Sequence, residues 1–127
     1  MQRTILLGAL FCLASTTCKL EAQSIYNKRW KSYISAPIND TAFLNIYADS
    51  SFITSGSGQV MVRFHSKITG DTLSFVDYGT EEQGCPDIKG IYKINATADG
   101  FTLTLIGDEC DGRSQALAGR KWVEAKK

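Results

Sequence analysis

The chain has 127 residues, of which 43% are hydrophobic, 21% charged and 10% aromatic, with 2 prolines and 11 glycines. That balance is ordinary for one folded domain and excludes disorder, collagen-like repeats and low-complexity tracts. The formal charge of +1, from 14 Lys and Arg against 13 Asp and Glu, excludes a strongly basic nucleic-acid binder, which needs a marked cationic excess to neutralise phosphates.

The N-terminal segment reads as an export signal. Arg3 supplies a positive start, and residues 5–14 (ILLGALFCLA) form an apolar run suited to a signal core and too short to span a bilayer. A small residue follows in Leu20-Glu21-Ala22, so the expected division is a signal peptide over 1–22 and a mature domain over 23–127. The mature protein is then secreted or periplasmic. A second reading takes Cys18, behind Ala14-Ser15-Thr16-Thr17, as a lipid-modified N-terminus that anchors the protein to a membrane. No other stretch has the length and apolarity of a transmembrane helix.

From there the pattern is that of strands. Residues 24–34, around Trp30, are the expected first strand, and residues 41–48 (TAFLNIYA) and 51–54 (SFIT) flank an Asp49-Ser50 turn. In residues 58–67 (GQVMVRFHSK), Val60, Val62 and Phe64 share one face while Gln59, Arg63 and His65 share the other. Residues 71–77 (DTLSFVD) repeat the pattern with Leu73 and Phe75, and Thr69-Gly70-Asp71 joins the two as a hairpin. Residues 90–96 (GIYKINA) and 101–106 (FTLTLI) flank Asp99-Gly100, a second hairpin signal, with Phe101, Leu103 and Leu105 on one face. Residues 116–123, around Trp122, are the expected last strand. The pattern predicts seven or eight short strands without an amphipathic helix. An antiparallel meander of this size hides its edges best by closing into a small up-and-down barrel, a two-sheet sandwich being the alternative.

Cysteine usage agrees with export. Cys12 lies in the signal and Cys18 just before the proposed cut, which leaves Cys85 and Cys110 as an even pair. In an oxidising compartment such a pair reads as one disulfide. It closes a loop of about 26 residues and contributes roughly 3–4 kcal/mol by loop-closure entropy. Acidic residues concentrate between Asp71 and Asp111, where Lys89 and Lys93 are the only bases. That stretch reads first as a solvated rim of loops.

The C-terminal third carries a resemblance. The run Gly90-x-Tyr92, Leu103-Thr104-Leu105, Asp108-x-Cys110-x-x-Arg113, Leu117-x-Gly119 and Trp122 resembles the ending of small secreted lipocalin-like (calycin-type) barrels, and Trp30 resembles their first-strand tryptophan. Lys28 stands where those barrels usually have Gly, and Asp77-Tyr78 matches their second motif only faintly. The resemblance implies that an arginine late in the chain lies over the first-strand tryptophan and closes one barrel end through a cation–π contact. Arg113 is the nearest match by motif and Arg120 the second.

Catalytic sets are incomplete. His65 is the only histidine, so triad and zinc-site patterns lack members, and no cofactor or metal is expected. Glu81 and Glu82 are adjacent and point to opposite faces in a strand, which argues against a paired-carboxylate glycosidase. Asp108, Glu109 and Asp111 lack the ligand spacing of a calcium loop, and Gly56-Ser57-Gly58 lacks Walker spacing. Asn39 and Asn95 begin glycosylation sequons.

The expectation is therefore an exported, non-enzymatic lipocalin-like domain that binds a small apolar molecule or acts structurally in the cell envelope. Val62, Phe64, Phe75, Leu103 and Leu105 are the candidate inward residues for such a ligand. The alternative is an inhibitor or protein-binding module that docks an envelope protein through acidic loops, with Glu81, Glu82 and Asp87 as candidates.

Overall fold

Period-two alternation builds nearly the whole chain. The computed structural model describes residues 22–35, 39–48, 50–79 and 84–126; the proposed signal up to residue 21, Cys18, and the candidates Glu81 and Glu82 lie outside them. Eight strands run β1 (Lys28–Ile34), β2 (Asp40–Ile46), β3 (Ser51–Thr54), β4 (Val60–Thr69), β5 (Thr72–Asp77), β6 (Lys89–Ala96), β7 (Gly100–Gly107) and β8 (Lys121–Glu124). Each pairs antiparallel with the next, and β8 returns to β1 to close a barrel in simple chain order. The closing seam is short, with Trp30 opposite Glu124 and Lys31 opposite Val123. Closure removes the sheet edges that an open meander leaves unpaired.

Two predicted strands are shorter than their apolar patterns. Residues 24–34 divide into a 3-10 turn over Ala22–Ile25 and β1, because Asn27 sits at φ 60° in the left-handed region and turns the chain between them. Residues 116–123 divide into the end of a helix, α1 (Asp111–Leu117), and β8. Two turns with only Arg113 and Leu117 buried give too short a 3.6-residue period to stand out in the sequence.

The inward residues form one buried core. Trp30, Trp122, Tyr92, Phe64, Phe75 and Phe101 are all fully buried, together with Leu44, Ile46, Leu73 and Leu103. Phe64 meets Phe75 edge-on at 4.4 Å, and Trp30 meets Phe101 edge-on at 4.9 Å. Such pairs contribute roughly 0.5–1.5 kcal/mol beyond their area burial. One end of the barrel is covered by the 3-10 turn: Ile25 is buried, its carbonyl accepts from Trp30 Nε1 at 3.0 Å, and the Tyr26 hydroxyl accepts from the Ile68 amide at 2.8 Å.

Leu105 departs from its predicted inward position. It is 44% exposed, and Thr104, Ile106 and Gly107 around it are exposed too. β8 pairs with β7 only from Gly100 to Thr102, and the β6–β7 register shifts between Ile91 and Tyr92. The far half of β7 therefore runs past the closed part of the wall, and its alternation no longer points at a core.

Gly100 allows the β7–β8 pairing to form, since a Cβ there would overlap the Trp122 carbonyl oxygen. Gly100→Ala is expected to destabilise the protein by about 1–3 kcal/mol, the usual cost of overpacking. Urea unfolding followed by tryptophan fluorescence measures this, and an unchanged midpoint contradicts the assignment.

Candidate functional site

The polar residues of the family-like motif converge at the barrel end opposite the 3-10 turn. Asp77 ends β5, Asp108 follows β7, and Arg113 projects from α1 between them. Its Nη1 reaches Asp77 Oδ1 at 2.7 Å, while Nε and Nη2 grip Asp108 Oδ2 and Oδ1, each at 2.7 Å. Nη2 also donates to the Ile88 carbonyl at 2.8 Å. The carboxylates are held in turn: Cys85 N donates to Asp77 Oδ2 at 2.7 Å, Cys110 N to Asp108 Oδ1 at 2.9 Å, and the Tyr92 hydroxyl to Asp108 Oδ2.

The same cluster contains the bridge. Cys85 and Cys110 are joined as a disulfide, a bond that suits an oxidising compartment, so the two residues that donate their amides to the carboxylates are also tied to each other. Gly90 makes room for the cluster. A Cβ there would overlap the Asp108 carboxylate and lie 3.1 Å from Arg113 Nε.

Burial alone pushes the Asp108 carboxyl upward, but hydrogen bonds from Arg113, Tyr92 and the Cys110 amide outweigh it and hold the group below its ordinary value. Burial, and the acceptance of its proton bond by Asp108, drive the Tyr92 hydroxyl far upward, so it remains a donor. With its guanidinium and both carboxylates bonded within the fold, the cluster is an end plug. It presents no open acid, base or nucleophile.

This geometry corrects the expected pairing of Arg113 with Trp30. Trp30 lies near the start of β1, beside the 3-10 turn, whereas all Arg113 partners belong to the opposite rim. The buried carboxylates Asp77 and Asp108 draw the guanidinium away, since a charge-assisted bidentate pair outweighs a ring contact. Arg120 does not take the place over Trp30 either; it donates to the carbonyls of Tyr33 and Gln115. Asp77 is the residue that the pattern reading left unassigned. Its signal was positional: a carboxylate continuing the inward series Leu73, Phe75, Asp77 must find a buried partner.

Of the remaining candidates, Val62, Phe64, Phe75 and Leu103 are buried in the common core. Asp87 is exposed, at φ 66° on the loop before β6. His65 lies exposed on β4 with its ring stacked on Tyr78 at 4.3 Å.

The outer wall has a charge order of its own. Exposed outward positions carry Arg29 and Lys31 on β1, Arg63, His65 and Lys67 on β4, Lys89 and Lys93 on β6, and Lys121 on β8. Among the described residues, no Asp or Glu occupies an outward strand position; the exposed carboxylates lie in turns or at strand ends. A groove of about 820 Å³ crosses β8, β1 and β2 on this wall, lined by Arg29, Lys31, Tyr33, Phe43, Lys121 and Lys126, among others.

Comparison with known proteins finds no matching family model, no similar curated protein and no similar solved structure. The fold itself is a closed antiparallel barrel of eight strands in simple chain order. Among the described residues, no helix is long and apolar enough to cross a membrane.

Arg113→Ala leaves two buried carboxylates without their cation and is expected to cost about 3–5 kcal/mol. Chemical denaturation measures it; a loss within the ±0.5 kcal/mol range of surface substitutions contradicts the plug. Asp108 also gives a pH signature. Its folded pKa lies below the ordinary value of 3.8, so its ionised form stabilises fully above that value, and the contribution is lost as pH falls through the folded pKa. Asp108→Asn should therefore be less stable than the parent at neutral pH, with the gap narrowing below about pH 4. A gap that stays constant down to acid unfolding rules this out.

Proposed function

We propose that the protein is an exported, calycin-like binding module that engages its partner on the outside of the barrel and catalyses no reaction. The observation that carries this reading is the aromatic core: six large aromatic side chains are fully buried within one cluster. Eight-stranded barrels are just wide enough for side chains to fill or for one small ligand to be held, and six buried aromatic rings favour the first. Plugs at both ends support the same view, the 3-10 turn with Ile25 at one and the Arg113 cluster at the other. Val62, Phe64, Phe75 and Leu103 then serve as packing rather than as the lining of a ligand cup. The disulfide and the apolar N-terminal run support export.

Recognition moves to rigid outer surfaces, which a closed and internally braced barrel holds in place without reorganisation. Such preorganisation lowers the cost of association. The carrier reading keeps the same barrel but requires an apolar guest among the core aromatics.

Native mass spectrometry of the protein from its own host separates the two. The expected result is a mass without a small-molecule adduct and two hydrogens below the reduced value. A reproducible apolar adduct on the order of a few hundred daltons, the size class of ligands held in enclosed pockets, overturns the outer-surface reading.

A further inference from the structure

We infer that the groove across β8, β1 and β2 is a docking site for an extended acidic segment of a partner protein. This inference deepens the outer-surface reading and rests on it. Lys31 is at the centre of the groove, opposite Phe43 on β2 and opposite Val123 on β8. Arg29 lies two residues before it on the same face, with its guanidinium 3.7 Å from the centre of the Phe43 ring. Tyr33 lies two residues after and is 59% exposed. Lys121 and Lys126 border the groove from the β8 side.

The charge balance favours an anion. Among the described residues, Arg29, Lys31, Lys121 and Lys126 face one lining carboxylate, Asp40. That carboxylate is already occupied, accepting from the Thr41 amide at 2.7 Å and the Gly56 amide at 3.0 Å. Lys121 has an exposed partner in Asp99 at 2.6 Å, a contact of the kind that contributes little in water and exchanges readily. Among the described residues, Lys31 and Lys126 have no ion-pair partner.

Spacing and surface chemistry favour a peptide over other anions. Successive outward residues on a strand recur about every 6.8 Å, the same repeat as alternate side chains of an extended peptide. Carboxylates on one face of such a segment match Arg29 and Lys31 in register. Phe43, Val123 and Tyr33 between and beside the cations suit intervening apolar side chains, which a polysaccharide lacks. A bilayer is planar and anionic, whereas the groove that Lys31 lines has exposed carboxylates nearby at Asp99 and Glu124.

The test uses the mature disulfide-bonded protein and a fluorescein-labelled octapeptide of alternating Glu and Leu, read by anisotropy. Lys31→Glu and Arg29→Glu should each weaken binding about tenfold or more, since like-charge juxtaposition in an interface is strongly unfavourable. Lys67→Glu on β4 makes the same change in net charge on another part of the wall and should leave binding within about twofold. Raising salt from about 50 to 200 mM should weaken the parent complex and affect Lys31→Glu much less. Circular dichroism confirms that each variant is folded.

Absence of peptide binding by the parent protein, or equal binding by Lys31→Glu, overturns the inference. So does a loss of the same size in Lys67→Glu, which reports net charge alone. Tighter, Lys31-dependent binding to phosphatidylglycerol vesicles or dextran sulfate assigns the groove to a membrane or a polysaccharide instead. Self-association in sedimentation that Lys31→Glu abolishes assigns it to a second copy of this chain. None of these outcomes produces the apolar adduct that defeats the outer-surface reading, so the two failures are distinguishable.

Discussion

One guanidinium between two carboxylates organises the end of this barrel. Arg113 is buried, and a buried arginine is tolerable only when nearly every donor is met. Here Asp77, Asp108 and the Ile88 carbonyl meet it, while Tyr92 and the amides of Cys85 and Cys110 complete the carboxylates. Those partners come from the end of β5, the loop before β6, β6 itself, the end of β7 and α1. The cluster therefore ties together segments that the β ladder joins only pairwise. The disulfide spans the same segments covalently, limiting the freedom of the unfolded chain in the region whose native contacts are most demanding.

A barrel braced in this way separates its tasks. The interior is aromatic and aliphatic packing, where edge-to-face rings hold the strands together. Among the described residues, Asp77 and Asp108 are drawn into the Arg113 plug, and the exposed acidic groups lie in turns or at strand ends. Basic side chains line the outer wall. A nearly neutral chain thus carries strongly patterned surfaces, and the field at a given face is set by that pattern rather than by net charge. The outer groove gains from rigidity, because β1 is held by β2 along its full length and by β8 at the seam.

Much of the architecture was legible in the chain. Alternation in residues 58–67 and 71–77 marked β4 and β5, and Thr69-Gly70-Asp71 marked their turn, because a strand with one buried face must repeat at period two. The errors came where local pattern and tertiary pairing part. Leu105 continues the alternation of Phe101 and Leu103, but β8 stops pairing with β7 at Thr102 and Leu103 is the last inward residue. Residues 116–123 look apolar enough for one strand, yet the need to place Arg113 and Leu117 on the buried side of two helical turns divides them. The motif Gly90-x-Tyr92 with Asp108-x-Cys110-x-x-Arg113 pointed to a structural constellation, although not to its geometry. The resemblance pairs Arg113 with Trp30, but spacing along the chain carries no information about which barrel end a residue reaches, and the two lie at opposite ends.

The sequence by itself determined an all-β chain of short alternating strands and one cysteine pair after the apolar N-terminal run. Those features follow from local periodicity and residue chemistry, which need no knowledge of long-range contacts. Only the tertiary structure decided that Asp77 joins Asp108 on Arg113 and that the inward aromatics meet in one buried core. It also decided that Arg29, Lys31, Lys121 and Lys126 share one groove. Each of these depends on which strands become neighbours around the closed wall, and Lys31 and Lys121, ninety residues apart in the chain, meet only because β8 returns to β1.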